Sequence, residues 1–102
     1  MHIQYVGFND VPGSRIYSFC VVDLPKETRE FTVEVQSQSF RSPARFKFQD
    51  GPSICFTRLK HELEGETQEL RADAHLSIGD RDIQEYLDRQ YPRLPPGRRR
   101  VQ

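Results

Sequence analysis

Apolar residues change period several times along this chain, and each change marks an element. In residues 15–24, Ile16, Tyr17, Phe19, Cys20, Val21, Val22 and Leu24 put β-branched and aromatic side chains on both sides of an extended segment, the pattern of a central strand. Strict alternation follows in 29–36, where Phe31, Val33 and Val35 alternate with Thr32, Glu34 and Gln36. With the short connection at 25–28, the two segments read as a hairpin with one dry face. Alternation returns in 44–49, with Ala44, Phe46 and Phe48 against Arg45, Lys47 and Gln49. It returns again in 69–76, with Leu70, Ala72, Ala74 and Leu76 against Arg71, Asp73 and His75. Both predict half-buried strands. Residues 2–6 predict a short first strand, which the glycines and proline of 7–14 are expected to end.

Two stretches carry the helical period instead. After Asp50-Gly51-Pro52, Ser53 can cap a helix whose Cys55, Phe56, Leu59 and Leu63 share one stripe, and Gly65 stops it. A second helix is expected over 80–90, with Ile83, Tyr86, Leu87 and Gln90 or Tyr91 inward, Asp80 and Asp82 at its positive end, and Pro92 beyond it. The order of elements predicts an α+β fold: a small, mainly antiparallel sheet of four to five strands with two helices on one face. Phe31, Val33, Phe46, Phe56, Leu59 and Leu87 are its expected core. The opposite face of the sheet is expected to be wet and to carry Thr32, Glu34, Arg45, Lys47, Arg71, Asp73 and His75.

At 102 residues and 35% hydrophobic content, the chain suits one domain with a small core. That domain is placed at 1–92. Residues 93–102 hold only Leu94 and Val101 as apolar side chains besides the prolines, so they read as a disordered basic tail. No apolar run reaches membrane-spanning length, and the first residues lack the basic-then-apolar order of a secretory signal, so the expected address is cytoplasmic.

Charge divides the chain into bands. The formal net charge is zero, yet residues 1–40 sum to −2, 41–60 to +4, 61–88 to −7 and 89–102 to +5. A neutral molecule gives no global attraction to nucleic acid or a membrane surface, and it lacks the mutual repulsion that keeps small proteins apart, so self-association as a homo-oligomer is open to it. Arg93, Arg98, Arg99 and Arg100 are the candidate phosphate contacts. Aromatic side chains that would stack on bases do not interleave with them, Tyr91 excepted.

Motifs for catalysis or cofactors are sparse. Cys20 and Cys55 each sit inside an apolar run and read as buried free thiols. They are isolated from each other and from His2, His61 and His75, without the paired spacing of a zinc site, so no metal is expected. Gly51-Pro52 lacks the run of free amides that cradles phosphate, and no cofactor is expected. Asp73, His75 and Ser77 share one face of a predicted strand, so Asp73 could orient the imidazole, but no strained nucleophile accompanies them and no catalytic residue is assigned. Arg41-Ser42-Pro43-Ala44-Arg45 resembles the Arg-xxx-Arg fragment of PilZ domains, which bind cyclic di-GMP. Downstream, Asp73-Ala74-His75-Leu76-Ser77-Ile78-Gly79 has the wrong spacing on both sides of the serine for that family's second signature, and no family is assigned.

These observations favour a small non-enzymatic protein-interaction or regulatory module that binds a protein partner through the wet sheet face or an exposed edge strand. The candidate binding face is Arg45, Lys47, Arg71, Asp73 and His75. One alternative is a nucleic-acid or ribosome-associated accessory protein using the arginine-rich tail. The other is a small-ligand binder or enzyme centred on Arg45, Arg71, Asp73 and His75.

Overall fold

The computed structural model describes residues 1–23, 27–41 and 46–90. Its elements are β1 (His2–Val11), β2 (Ser14–Asp23), β3 (Glu27–Gln36), two 3-10 turns (Ser37–Arg41 and Phe48–Asp50), α1 (Gly51–Glu64), β4 (His75–Ile78) and α2 (Asp80–Gln90). The strands lie side by side in chain order, β1 to β4. The β1–β2 and β2–β3 pairs are antiparallel, and β3–β4 is parallel. A parallel neighbour requires a crossover connection, and α1 is that crossover. The result is the expected α+β architecture, a four-stranded, mainly antiparallel sheet with helices on one face.

The inner face of the sheet follows from the period of two. Tyr17, Phe19 and Val21 of β2 stand beside Phe31, Val33 and Val35 of β3, with Leu76 and Ile78 of β4 next to them, and all are buried. On this layer sit Ile54, Cys55, Leu59 and Leu63 of α1, Ile83 and Tyr86 of α2, and Phe46. Tyr86 meets Phe46 edge-on at 6.2 Å between ring centroids, and its hydroxyl donates to Asp50 Oδ1 at 3.1 Å. That bond ties α2 to the start of α1. Asp82 Oδ2 accepts the Gly79 N–H at 2.9 Å, satisfying a donor at the α2 entry.

Four expectations change. The 7–14 stretch does not end a strand: Pro12 and Gly13 form the turn of a tight hairpin, with Gly13 at φ 81° as a left-handed turn position requires. β1 therefore continues to Val11. The pairing register shifts between Tyr5 and Gly7, leaving Val6 as the extra residue of a bulge. Second, the described part of 44–49, from Phe46 on, is not a strand; Ala44 and Arg45 lie outside the described residues. Phe46 is buried as expected, but the Lys47 N–H donates to Asp50 Oδ2 and the Asp50 N–H returns to the Lys47 carbonyl, both at 2.9 Å, closing the 3-10 turn from which α1 starts at Gly51 rather than Ser53.

Third, the strand is His75–Ile78, so of 69–76 only His75 and Leu76 are in it. The Thr67 hydroxyl accepts the Glu69 and Leu70 N–H groups, and the Thr67 N–H donates to the Leu70 carbonyl. These local bonds hold a turn where the alternation suggested a ladder, and Leu70 is 65% exposed. Fourth, the buried stripe of α1 is rotated toward Ile54, which leaves Phe56 39% exposed. Of the expected core, Phe31, Val33, Phe46 and Leu59 are buried and Leu87 packs partly buried against it.

The stripe of α1 is also fixed at its first residue. A Cβ at Gly51 would overlap the Tyr17 hydroxyl and ring, so α1 reaches the sheet only because this position has no side chain. Gly51→Ala is expected to cost about 1–3 kcal/mol by overpacking, and Leu59→Ala about 2–5 kcal/mol. Phe56→Ala should cost only about 1 kcal/mol, because much of that ring stays in water. Chemical denaturation midpoints check the ranking; Phe56→Ala as damaging as Leu59→Ala would contradict this placement of α1.

Candidate interaction surface

Of the five residues expected on one binding face, the structure places only His75 on the helix-free face. Arg71 and Asp73 lie in the irregular connection before β4, Lys47 stands at the 3-10 turn leading into α1, and Arg45 lies outside the described residues, as do Arg93, Arg98, Arg99 and Arg100. Arg71 is held by Glu27 at 3.2 Å.

His75 is oriented by residues other than Asp73. Parallel pairing sets His75 opposite Thr32 and Ser77 opposite Glu34. The His75 ring bridges the two, with Nδ1 2.6 Å from Thr32 Oγ1 and Nε2 3.2 Å from Glu34 Oε1. The Ser14 hydroxyl donates to the other Glu34 oxygen at 2.5 Å. This bond, with the His75 contact, holds the Glu34 carboxyl below its ordinary range. The four side chains form one polar row across β2, β3 and β4. Cys20 lies on the same face, half-buried, whereas Cys55 is buried beneath α1. Both thiols are free, and burial pushes Cys55 up.

A second polar cluster anchors the connection from α1 to β4. Arg29 meets Glu66 through Nη1 at 2.7 Å and Nη2 at 3.2 Å, and reaches Asp23 at 3.2 Å. Glu66 Oε2 also accepts the Ala72 N–H at 2.7 Å. The Arg29 bonds, helped by the Ala72 amide, push the Glu66 carboxyl down to about 2.

The surface that the sequence left without an address is the free edge of β1. Among the described residues, no strand pairs with its outer side. Edge strands are commonly protected by lysine, by proline or by being short. β1 is 10 residues long and contains neither residue; its protection is the bulge at Val6. Val6 is 65% exposed, Phe8 51% and Tyr5 41%. Tyr5 leans on Phe19 at 5.5 Å, and Phe8 on Tyr17 at 6.0 Å. Between β1 and α1 opens a cavity of about 400 Å³ lined by Met1, His2, Ile3, Phe56, Lys60, Leu63 and Glu64.

Charge on this side is spent internally. Arg15 binds Asp10 at 2.7 and 3.2 Å, and its guanidinium stacks 3.9 Å from the Phe8 ring centroid and 4.4 Å from that of Phe48. The Arg15 bond lowers the Asp10 pKa. Beyond this pair β1 presents an aromatic shelf with no formal charge apart from any on His2.

Searches against known protein families, curated proteins and solved structures gave no match. Among the described residues, no helix is long and apolar enough to cross a membrane, and no group of three or more His, Cys, Asp or Glu is placed to hold a metal ion.

The Glu66 anchor has a pH signature. A carboxyl lowered from 4.5 to about 2 on folding stabilises the fold fully above its unfolded value, and the contribution fades as pH falls from about 4.5 toward 2. Glu66→Gln should cost about 2 kcal/mol at pH 7. The gap between the urea midpoints of parent and variant should hold from pH 7 to 5 and close between 4.5 and 2. An unchanged gap at the acid end would show that Arg29 does not hold Glu66 ionised.

Proposed function

We propose that this chain is a small non-enzymatic interaction module that recognises a protein partner by adding a strand to the free edge of β1. The observation that carries the reading is a 10-residue edge strand without lysine or proline, flanked by exposed Tyr5, Val6 and Phe8 and by the apolar cavity against α1. Backbone groups on such an edge give affinity, and neighbouring pockets give selectivity. Two free cysteines, one of them buried, suit a reducing compartment, and we assign the module to the cytoplasm.

A second reading rests on Thr32, His75 and Glu34. A hydroxyl, an imidazole and a carboxylate in hydrogen-bond sequence have the order of a nucleophile, a base and an orienting acid. Here they stand in a row on an open sheet face. His75 is exposed, and the second oxygen of Glu34 is engaged by Ser14. Preorganised donors for a developing negative charge, which such chemistry requires, do not accompany them among the described contacts. The interaction reading is therefore preferred.

The two surfaces separate by mutation. Val6→Lys adds a charge to the edge at an exposed bulge position, and His75→Ala removes the centre of the polar row. Proteins co-purifying with the full chain from its native cell should be lost with Val6→Lys and retained with His75→Ala. Loss with His75→Ala alone would overturn the edge reading and favour the helix-free face.

A further inference from the structure

We infer that the occupant of the β1 edge is a second copy of this chain, paired antiparallel through His2–Val6 about a two-fold axis at Gln4. The inference rests on the interaction reading and names its partner. The argument begins with register. An antiparallel pair centred on Gln4 sets Ile3 opposite Tyr5 of the second copy, and Tyr5 opposite Ile3 of the second copy, both on the inner face. On the outer face it sets His2 opposite Val6 and Gln4 opposite Gln4. Each apolar inner residue meets an apolar or aromatic one, no formal like charges are opposed, and the bulge at Val6 sets the end of the ladder.

The cavity fits the same pairing. Ile3 lines it together with Phe56 and Leu63, and the pairing brings Tyr5 of the second copy beside Ile3. The incoming ring would cover apolar surface on α1 that the chain's own elements leave open. Lys60 and Glu64, which flank the cavity on α1, carry opposite charges one helical turn apart. The same surface rotated by a two-fold axis can therefore oppose unlike charges, as an isologous interface requires. The formal net charge of zero adds no long-range repulsion between copies. The segment His2–Val6 itself supplies a strand without Asp, Glu, Lys or Arg and with Ile3 and Tyr5 on its inner face.

Sedimentation equilibrium of the full chain tests the inference. The expected species has twice the 12.0 kDa chain mass. Val6→Lys and Phe56→Glu, both at exposed positions, should each shift it to the single-chain mass with unchanged circular dichroism, while the thermal midpoint falls as the partner's contribution is lost. Register is read separately. Because Gln4 pairs with Cys20 within the chain, the Gln4→Cys substitution is made together with Cys20→Ser. Mild oxidation should then link two copies through position 4, and Asn9→Cys in the same background should not link. A monomer at every concentration, a dimer indifferent to both edge variants, or linkage at position 9 in place of position 4 would overturn the inference. A monomer whose other companions are still lost with Val6→Lys would leave the interaction module standing with a different partner; a monomer whose companions are indifferent to Val6→Lys would remove both.

Discussion

Two helices have to cover a sheet in which three of the four strands are 10 residues long, and the geometry does not allow it. α1, at 14 residues, spans about 21 Å and is about 10 Å wide, whereas a ten-residue strand spans about 33 Å and neighbouring strands are about 4.8 Å apart. One helix therefore shelters about two strands. The chain places that shelter over the centre, where Tyr17, Phe19, Val33 and Val35 are closed from solvent, and α2 adds Ile83 and Tyr86 to the same core. The shortfall falls on β1. Tyr5 and Phe8 share the inner face with the core yet stay half in water, and Phe56 faces outward from α1 above a gap.

The polar surface on the other side also follows from how the core is closed. Because α1 is the crossover to β4, the connection after it must return the chain parallel to β3. Glu66 fixes that return by gripping Arg29 on β3 and the Ala72 amide at once, and the Thr32 N–H completes it by donating to the Ala74 carbonyl at 2.8 Å. This register is what puts His75 across from Thr32 and within reach of Glu34. The row Ser14, Glu34, His75 and Thr32 is thus a consequence of strand placement, with Ser14 on β2, Thr32 and Glu34 on β3 and His75 on β4.

Elements with an uninterrupted period were legible in the sequence; elements governed by side-chain capture of the backbone were not. β2, β3, α1 and α2 follow their patterns within a few residues. β1 was cut short because the bulge at Val6 moves the inward set from odd positions, Ile3 and Tyr5, to even ones, Phe8 and Asp10, and a period of two is lost when read across a bulge. In the sequence the Pro12-Gly13 pair is read only as a strand stop, although a turn signal between strand formers on both sides is also the mark of a hairpin. Residues 69–74 alternate by composition, yet Thr67 and Glu66 claim their amides. Of the proposed binding face, His75 was placed on the correct side, but its partners Thr32 and Glu34 come from a strand about forty residues away. Only strand order could identify them, and periodicity does not encode strand order.

The open edge is tested most directly by hydrogen exchange of its own amides in the full chain at low and high protein concentration. Edge amides without a partner exchange through solvent contact, and a strand added from a second copy protects them by mass action. Protection over His2–Val6 is expected to rise with concentration, while β3, paired on both sides within the chain, stays constant. Exchange in His2–Val6 that is the same at both concentrations would contradict the pairing of two copies through β1.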